Sequence, residues 1–310
     1  MKVYDKANNL SLIIQPGDSF FPIVRAIDGA THSIKMTIFR MDDPVVQDAM
    51  RNAVSRGVEV RALVAPQSKG WEKRNRKLIE VLSGLGVQVS IPKALDQTKG
   101  LKRYHYKILT VDDTECMILT FNPTKKNLHY ARDFGVLMRD KEITSELNLL
   151  FDADWDGTAF KPTELPLVIS NYNSRSKLTK LLKSAERSIR IMDAKLTDEP
   201  TVVLLLQKAA AGCDVKVIGR DMHFDKIVPN FRARRMARYK LHAKCIVVDG
   251  STFFIGSQNL RRVSLDQRRE VGIIIGDDAM ARRIERVFDE DWENATDESN
   301  AIEAVATSKA

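Results

Sequence analysis

Six polar residues recur along this chain in the same order and at one constant offset. The first set is His105, Lys107, Asp112, Thr120, Asn122 and Asp133; the second is His242, Lys244, Asp249, Ser257, Asn259 and Glu270, each displaced by 137 positions (242 − 105). One His-x-Lys is uninformative. Two, each followed at identical distances by an acid, a hydroxyl, an amide and a second acid, mark an internal duplication. The repeat runs on past the motif: Phe151-Asp152-Ala153-Asp154-Trp155 matches Phe288-Asp289-Glu290-Asp291-Trp292 at the same offset. Ahead of these segments, Ile143, Leu147, Leu150 and Phe151 share one helical face, as do Met280, Ile284, Val287 and Phe288. The two tryptophans are therefore expected to pack in a core rather than stack on a ligand.

Upstream the offset changes to 155. Ser33-Ile34-Lys35-Met36 resembles Ser188-Ile189-Arg190-Ile191, and Gly57-Val58-Glu59-Val60 resembles Gly212-Cys213-Asp214-Val215. The first half thus carries 18 extra residues (155 − 137) before its histidine. They include a helix face formed by Leu78, Ile79, Leu82 and Leu85, then a strand at Val87-Gln88-Val89. The second half has instead a basic run, Phe231 to Lys240. Each half reads as strand, helix, strand, motif strands, helix. Ser33 to Phe39 and Val58 to Ala65 read as strands, Pro44 to Arg56 reads as a helix, and Asn173 or Ser174 reads as an N-cap. Alternating strands and helices give an α/β layered fold. The expected division is a first repeat over 1–160, a second over 161–296, with the Gly157–Pro166 stretch as boundary, and a disordered tail over 297–310.

The β-branched and aromatic content of His105 to Val111 predicts a strand, on which His105 and Lys107 face the same side, and likewise His242 and Lys244. Hairpin turns follow at Asp112-Asp113 and Asp249-Gly250. The return strands then bring Thr120, Asn122, Ser257 and Asn259 back beside the lysines. These residue types suit attack on a phosphodiester. Lysines, amides and hydroxyls neutralise the anion. An imidazole with an ordinary pKa near ~6.5 can be nucleophile in one copy and acid in the other. The expected catalytic set is His105, His242, Lys107, Lys244, Asp133 and Glu270, with Asn122, Asn259, Thr120 and Ser257 holding the phosphate. Asp133 and Glu270 either orient the imidazoles, as the acid of a catalytic triad does, or pair with their neighbours Arg132 and Arg269. Asp112 and Asp249 are explained by their turn positions and read as structural. His32, His129 and His223 have no counterparts in the repeat. No close His/Asp/Glu/Cys cluster has metal-ligand spacing, so no metal and no cofactor is expected.

The net charge of +8 favours an anionic partner: nucleic acid, an acidic membrane surface or a polyphosphate. Lys99, Lys102 and Arg103 precede one histidine; Arg232, Arg234, Arg235, Arg238 and Lys240 precede the other. Such flanks suit nucleic-acid backbones and membrane surfaces equally. Cys116, Cys213 and Cys245 are odd in number and lack zinc-like spacing, which fits reduced thiols. With no apolar run of membrane-spanning length, the chain is expected to be cytoplasmic, with peripheral membrane contact as an alternative.

His-x-Lys-x4-Asp followed by Gly-Ser-x-Asn resembles the phospholipase D superfamily. LHAKCIVVDGSTFFIGSQNLRRVSLDQRREVGIII follows that pattern throughout. YHYKILTVDDTECMILTFNPTKKNLHYARDFGVLM departs from it at Leu119, where the family prefers glycine, and at Thr120, where it prefers serine. The resemblance covers about Leu10 to Trp292. It implies two similar lobes, each a mixed sheet flanked by helices, related by a pseudo-twofold axis, with one active site between them that needs no partner chain. It also implies a phosphohistidine on His105 and an acid role for His242. The implied activity is a metal-independent phosphodiesterase or phosphatidyltransferase acting on phospholipids, similar to phospholipase D and cardiolipin synthase. The alternatives are a metal-independent nuclease and a non-catalytic nucleic-acid- or membrane-binding relative.

Overall fold

The computed structural model describes residues 2–6, 9–65, 72–92, 103–220, 222 and 228–297. Lys99, Lys102, His223 and nearly all of the expected tail lie outside them, as does the side chain of Arg103. In the first lobe the elements are β1 (Leu10–Gln15), α1 (Phe21–Gly29), β2 (Ser33–Ile38), α2 (Pro44–Ser55), β3 (Glu59–Val64), α3 (Glu72–Gly84), β4 (Gln88–Ser90), β5 (Arg103–Tyr104), β6 (Ile108–Val111), β7 (Glu115–Leu119), α4 (Lys125–Tyr130), β8 (Ala131–Met138) and α5 (Lys141–Asp156). In the second they are β9 (Leu167–Ile169), α6 (Ser174–Lys183), β10 (Ser188–Asp193), α7 (Glu199–Ala210), β11 (Asp214–Gly219), β12 (Phe231–Arg235), β13 (Lys240–Leu241), β14 (Lys244–Val248), β15 (Thr252–Gly256), α8 (Arg262–Asp266), β16 (Arg268–Arg269), β17 (Val271–Gly276), α9 (Asp278–Glu293) and β18 (Thr296–Asp297).

The duplication is visible in the sheets. One runs β1-β8-β7-β6-β2-β3-β4; the other runs β9-β17-β15-β14-β10-β11-β12 and adds β18 at its edge. Parallel pairing at β2–β3 and β10–β11 is joined to antiparallel hairpins at β6–β7 and β14–β15. Both sheets are therefore mixed, with helices against them, as an α/β reading requires. The extra residues of the first half form α3 and β4, and β4 holds the sheet position that the basic strand β12 holds in the second.

Local sequence fixes the details. Asp43 caps α2, accepting from the amides of Val45 and Val46, and Pro44 fits the first helical turn, where no amide is needed. Asn173 precedes α6 without capping it. Its Oδ1 accepts from the Ile169 amide instead, tying the helix start to β9. Both hairpin turns hold two residues at positive φ, Asp112 and Asp113 in one and Asp249 and Gly250 in the other. Asp112 accepts from the amides of Thr31, His32 and Ser33, and Asp249 from those of Glu186, Arg187 and Ser188. Each motif aspartate thus ties its hairpin to the start of the neighbouring strand.

Each lobe has an outer core, Ile27, Met50 and Leu82 in the first and Leu181, Leu205 and Val217 in the second. A third core lies between the sheets and draws on both. Phe134, Ile118 and Leu147 meet Val271, Ile255 and Phe288 there. Trp292 is 5% exposed and stacks on Phe288; Trp155 stacks on Phe151 at the same spacing of 5.7 Å. Trp292 packs in the core as the helical periodicity implies, whereas Trp155 stays half-buried, with the Arg61 guanidinium over its ring. Across this shared core Arg132 of β8 forms a bidentate pair with Asp291 of α9, at 2.6 and 3.0 Å. Arg269 of β16 reaches Asp154 of α5 at 3.2 Å. All four groups are buried. Among the described residues, no helix is long and apolar enough to cross a membrane.

Candidate active site

Two short parallel pairings bring the repeated motifs together. Lys240 and Leu241 of β13 pair with Ala131 and Arg132 of β8. Continuing that register by one residue sets His242 beside Asp133. Likewise Arg103 and Tyr104 of β5 pair with Arg268 and Arg269 of β16, and the next step sets His105 beside Glu270. The imidazoles are therefore held by the acid of the opposite lobe. His105 Nδ1 lies 2.9 Å from Glu270 Oε2, and His242 Nδ1 lies 2.8 Å from Asp133 Oδ1. Arg132 and Arg269 are occupied by Asp291 and Asp154, so of the two alternatives for the acids the geometry selects the histidines.

The histidines do not lie inside strands. His105, Tyr106 and Lys107 bridge β5 and β6, and His242 and Ala243 bridge β13 and β14. The sequence suggested one continuous strand. The chain instead changes partner there, leaving the pairing between lobes for its own sheet. Same-side projection survives the break. Lys107 Nζ donates to the His105 carbonyl at 2.6 Å and sits 3.4 Å from His105 Nε2. Lys244 Nζ donates to the His242 carbonyl and lies 3.5 Å from the Thr120 carbonyl of the other lobe.

Thr120 and Ser257 are fully buried. Thr120 Oγ1 donates to Asp133 Oδ1 at 2.6 Å and accepts from the Phe134 amide; Ser257 Oγ accepts from the Val271 amide and lies 3.4 Å from the Val271 carbonyl, to which it donates. Both were expected to hold a phosphate; Thr120 braces the Asp133 carboxylate and Ser257 is engaged by the β17 backbone. Asn122 Oδ1 accepts from the amides of Phe39 and Arg40, at 3.2 Å each, so its amide nitrogen is turned outward. No hydrogen bond holds the Asn259 carboxamide among the described residues. Leu119 does not crowd the site. It belongs to the outer core, where its Cδ2 fills the space above Gly135. In the second lobe the Phe254 ring occupies the corresponding space above Gly272 and Gly256, and Met117 stands in its place in the first.

Electrostatics tie the groups into one unit. Burial pushes the His105 imidazole down to about 3 and His242 to about 4, with Glu270 and Asp133 pulling the other way. Burial opposes ionisation of Glu270, yet His105 and Lys107 hold it down to about 2; Asp133 is held low by His242 and Lys244. Burial brings Lys107 down to about 7, with Lys244 pushing the same way. In both copies burial therefore works against a charged imidazole and the opposite lobe's carboxylate works for one. Among the described residues, no three His, Cys, Asp or Glu side chains are grouped to hold a metal ion.

Sequence reading missed the buried Arg132–Asp291 and Arg269–Asp154 pairs, although Asp154 and Asp291 were visible as repeated acids on an apolar helix face. It also missed Asn127, whose Nδ2 donates to Asp133 Oδ2 at 2.8 Å, and Phe39, whose ring meets that of His105 edge-on at 5.3 Å.

The family described as "Cardiolipin synthase, PLD-like domain" matches residues 23–155 and 178–292. The chain belongs to this family, and so to the phospholipase D superfamily. A polyphosphate kinase of Mycolicibacterium gilvum (strain PYR-GCK) is 27% identical over 310 residues, covering 90% of this chain and 41% of that protein. The crystal structure of polyphosphate kinase from Porphyromonas gingivalis superposes with a TM-score of 0.72 at 19% identity, over 91% of this chain and 50% of that one. Phosphatidylserine synthase of Haemophilus influenzae Rd KW20 superposes with a TM-score of 0.69 at 11% identity, over 92% and 87%. The chain spans about two fifths of the length of the curated relatives it matches.

Proposed function

We propose that this chain is a phosphoryl-transfer enzyme that works through a phosphohistidine at one site shared by its lobes. The observation that carries the reading is the crossed pairing of each imidazole with the other lobe's carboxylate, with a buried lysine beside each ring. A carboxylate on Nδ1 fixes the tautomer that leaves Nε2 as the reactive nitrogen. His105 attacks phosphorus and the bond to the leaving oxygen breaks. His242 donates the proton that this oxygen takes up, then recovers one from the acceptor that releases the phosphoryl group. The His242 proton arrives with the substrate, whose negative charge raises the affinity of a buried imidazole for protons. Lys107, Lys244, Asn122 and Asn259 hold the phosphoryl oxygens, the part that a metal ion plays elsewhere.

For the substrate we favour a phosphoanhydride chain such as polyphosphate. The named activity of the sequence relatives supports this, as does the company of basic groups around Lys240, namely Lys126, Arg40 and Arg220. The phospholipid substrate implied by the sequence resemblance is the second reading, supported by the description of the matching family. A parallel assay separates them: chain shortening of polyphosphate with and without a nucleoside diphosphate acceptor, headgroup release from phosphatidylglycerol vesicles, and nicking of plasmid, each in EDTA and in Mg²⁺. Polyphosphate turnover alone supports the first reading, headgroup release alone the second, nicking a nuclease. Absence of all three refutes catalysis by this chain. Activity lost in EDTA and restored by Mg²⁺ refutes metal independence.

A further inference from the structure

The pseudo-symmetry fails at one buried acid. Asp193 ends β10, is 1% exposed, and stands opposite Lys244 in the antiparallel register of β10 and β14. Opposed residues leave a sheet on the same face, so the two side chains are neighbours. Asp193 Oδ1 accepts from the Lys195 amide at 2.7 Å and Oδ2 from the Leu260 amide at 2.6 Å. The repeat offsets of 155 and 137 place Ile38 and Pro123 at the corresponding positions of the first lobe, which offer neither the carboxylate nor the amide hydrogen. The counterpart of the Lys195 amide, that of Arg40, goes to Asn122 instead. The first lobe therefore shows that this corner folds without an acid. A carboxylate buried where an isoleucine suffices calls for a reason beyond packing.

We propose that Asp193 is a positioning residue of the candidate site, holding Lys244 as a standing cation and so making the second lobe the anchor of the phosphoryl oxygens. Lys107 has Ile38 at the corresponding position and takes up its charge with the substrate. The inference rests on the phosphoryl-transfer reading of the site. The surroundings of the two lysines differ accordingly. Lys244 is favoured as a cation by Asp133 of β8, Asp193 of β10 and Glu270 from the link between β16 and β17, and opposed by burial and by Lys240 of β13. Lys107 is favoured by Glu270 and Asp133 and opposed by burial, Lys244 and Arg268. Each lysine also lies against its own motif histidine. Asp193 and Lys244 act on each other through space, in a buried region where charges are weakly screened. Burial raises the Asp193 carboxyl to about 6, against its two amide donors, Lys244 and Arg261. Its support of Lys244 is therefore present above about pH 6 and lost as pH falls through that value.

The sharpest test follows the lysine Nζ signals of the full ¹⁵N-lysine-labelled chain through a pH titration, assigned with Lys107→Arg and Lys244→Arg. In the wild type, Lys244 should lose its proton at higher pH than Lys107; equal or reversed midpoints overturn the proposal, with no variant at Asp193 required to fold. Asp193→Asn, and Asp193→Ile combined with Leu260→Pro to copy the first lobe, should lower the Lys244 midpoint by about one pH unit and leave Lys107 nearly unmoved. An unmoved Lys244 midpoint overturns it as well. Inorganic phosphate, titrated as probe, should bind these variants several-fold more weakly at pH 8, and the deficit should shrink by pH 5.5, where Asp193 is largely protonated. An equal loss at both pH values marks a purely structural role and counts against the proposal. If the lysine order holds while the wild type turns over no phosphate compound, the phosphoryl-transfer reading falls and the influence of Asp193 on Lys244 stands.

Discussion

Around His105 the first lobe places the Phe39 ring, and the imidazole is 15% exposed; around His242 the second lobe has Ala194 at the position corresponding to Phe39, and that imidazole is 26% exposed. The supporting acids differ as well. Asp133 is saturated, with His242 and Thr120 on one oxygen and Asn127 on the other. Glu270 holds His105 with Oε2, while its Oε1 has no hydrogen-bond partner among the described residues and faces the Arg268 guanidinium at 3.8 Å. A duplicated motif thus carries two chemically distinct histidines. Two-step transfer needs such a difference, since one ring must attack and the other must shuttle a proton. The more enclosed His105, against an aromatic edge, suits a nucleophile that excludes water. The more open His242 suits exchange of protons with an acceptor.

The harshest challenge to this division is removal of each ring. His105→Ala should abolish turnover, a loss of roughly 10⁴-fold or more, and form no covalent adduct with any substrate. His242→Ala should still be phosphorylated by a p-nitrophenyl phosphodiester, whose leaving group needs little protonation, and should then stall. Mass spectrometry of acid-labile, base-stable phosphate reads the result. An adduct on His242 in the His105→Ala protein would reverse the roles.

The crossing of the acids gives the next largest effect. Although Glu270 belongs to the second lobe, Glu270→Gln should behave like a weaker His105→Ala and slow adduct formation, by roughly 10²–10³-fold. Asp133→Asn should slow the release step by a similar factor. Rapid-quench measurement of the adduct separates the steps, and the opposite assignment would show that each acid serves its own lobe.

Much of this was legible in the chain. The constant offset revealed the duplication, and the hairpin residues at Asp112-Asp113 and Asp249-Gly250 placed both turns. The i, i+2 spacing of His105 and Lys107 anticipated their common side. Which carboxylate meets which histidine was not legible, because it depends on β13 pairing with β8 and β5 with β16, contacts between segments more than a hundred residues apart. The breaks at the histidines escaped for the same reason. β propensity cannot tell a strand that stays in one sheet from one that changes partner. That Thr120 reaches Asp133 while Ser257 is held by the β17 backbone was equally out of sight, since both hydroxyls read alike in the sequence. Arg132 and Arg269 looked like neighbours for Asp133 and Glu270, but adjacent residues in a strand point to opposite faces.

Three substitutions test the cores on either side of the comparison. Asp291→Asn leaves Arg132 buried beside a neutral partner and should destabilise the fold by about 3–5 kcal/mol. Asp154→Asn should cost less, since Arg269 makes one longer contact there. Leu119→Ala removes the filler above Gly135 and should cost about 2–4 kcal/mol, with turnover at low temperature little changed. Chemical denaturation gives the stabilities. A large loss of turnover in a stable Leu119→Ala protein would put this side chain in the site rather than in the core.

The smallest expected effect concerns the strand that has no basic counterpart in the first lobe. Arg235 and Arg238 are exposed at the end of β12 and just beyond it, and Arg238 stacks over Tyr239, whose ring also covers Arg132 below the His242 pairing. Their charges lie a few residues from Lys240 and His242 in sequence, and their exposure places them within reach of an approaching anion. Exposed charges act on capture rather than on chemistry, and salt screens them with a Debye length near ~10 Å at 0.1 M. Arg235→Glu with Arg238→Glu should therefore lower kcat/KM by roughly tenfold at low salt, leave kcat unchanged, and approach wild type as salt rises. An unchanged kcat/KM at low salt would make this rim idle and erase the charge difference between the lobes as a feature of function. A loss that persists in high salt would instead implicate the Tyr239 stack, and through it the placement of Arg132.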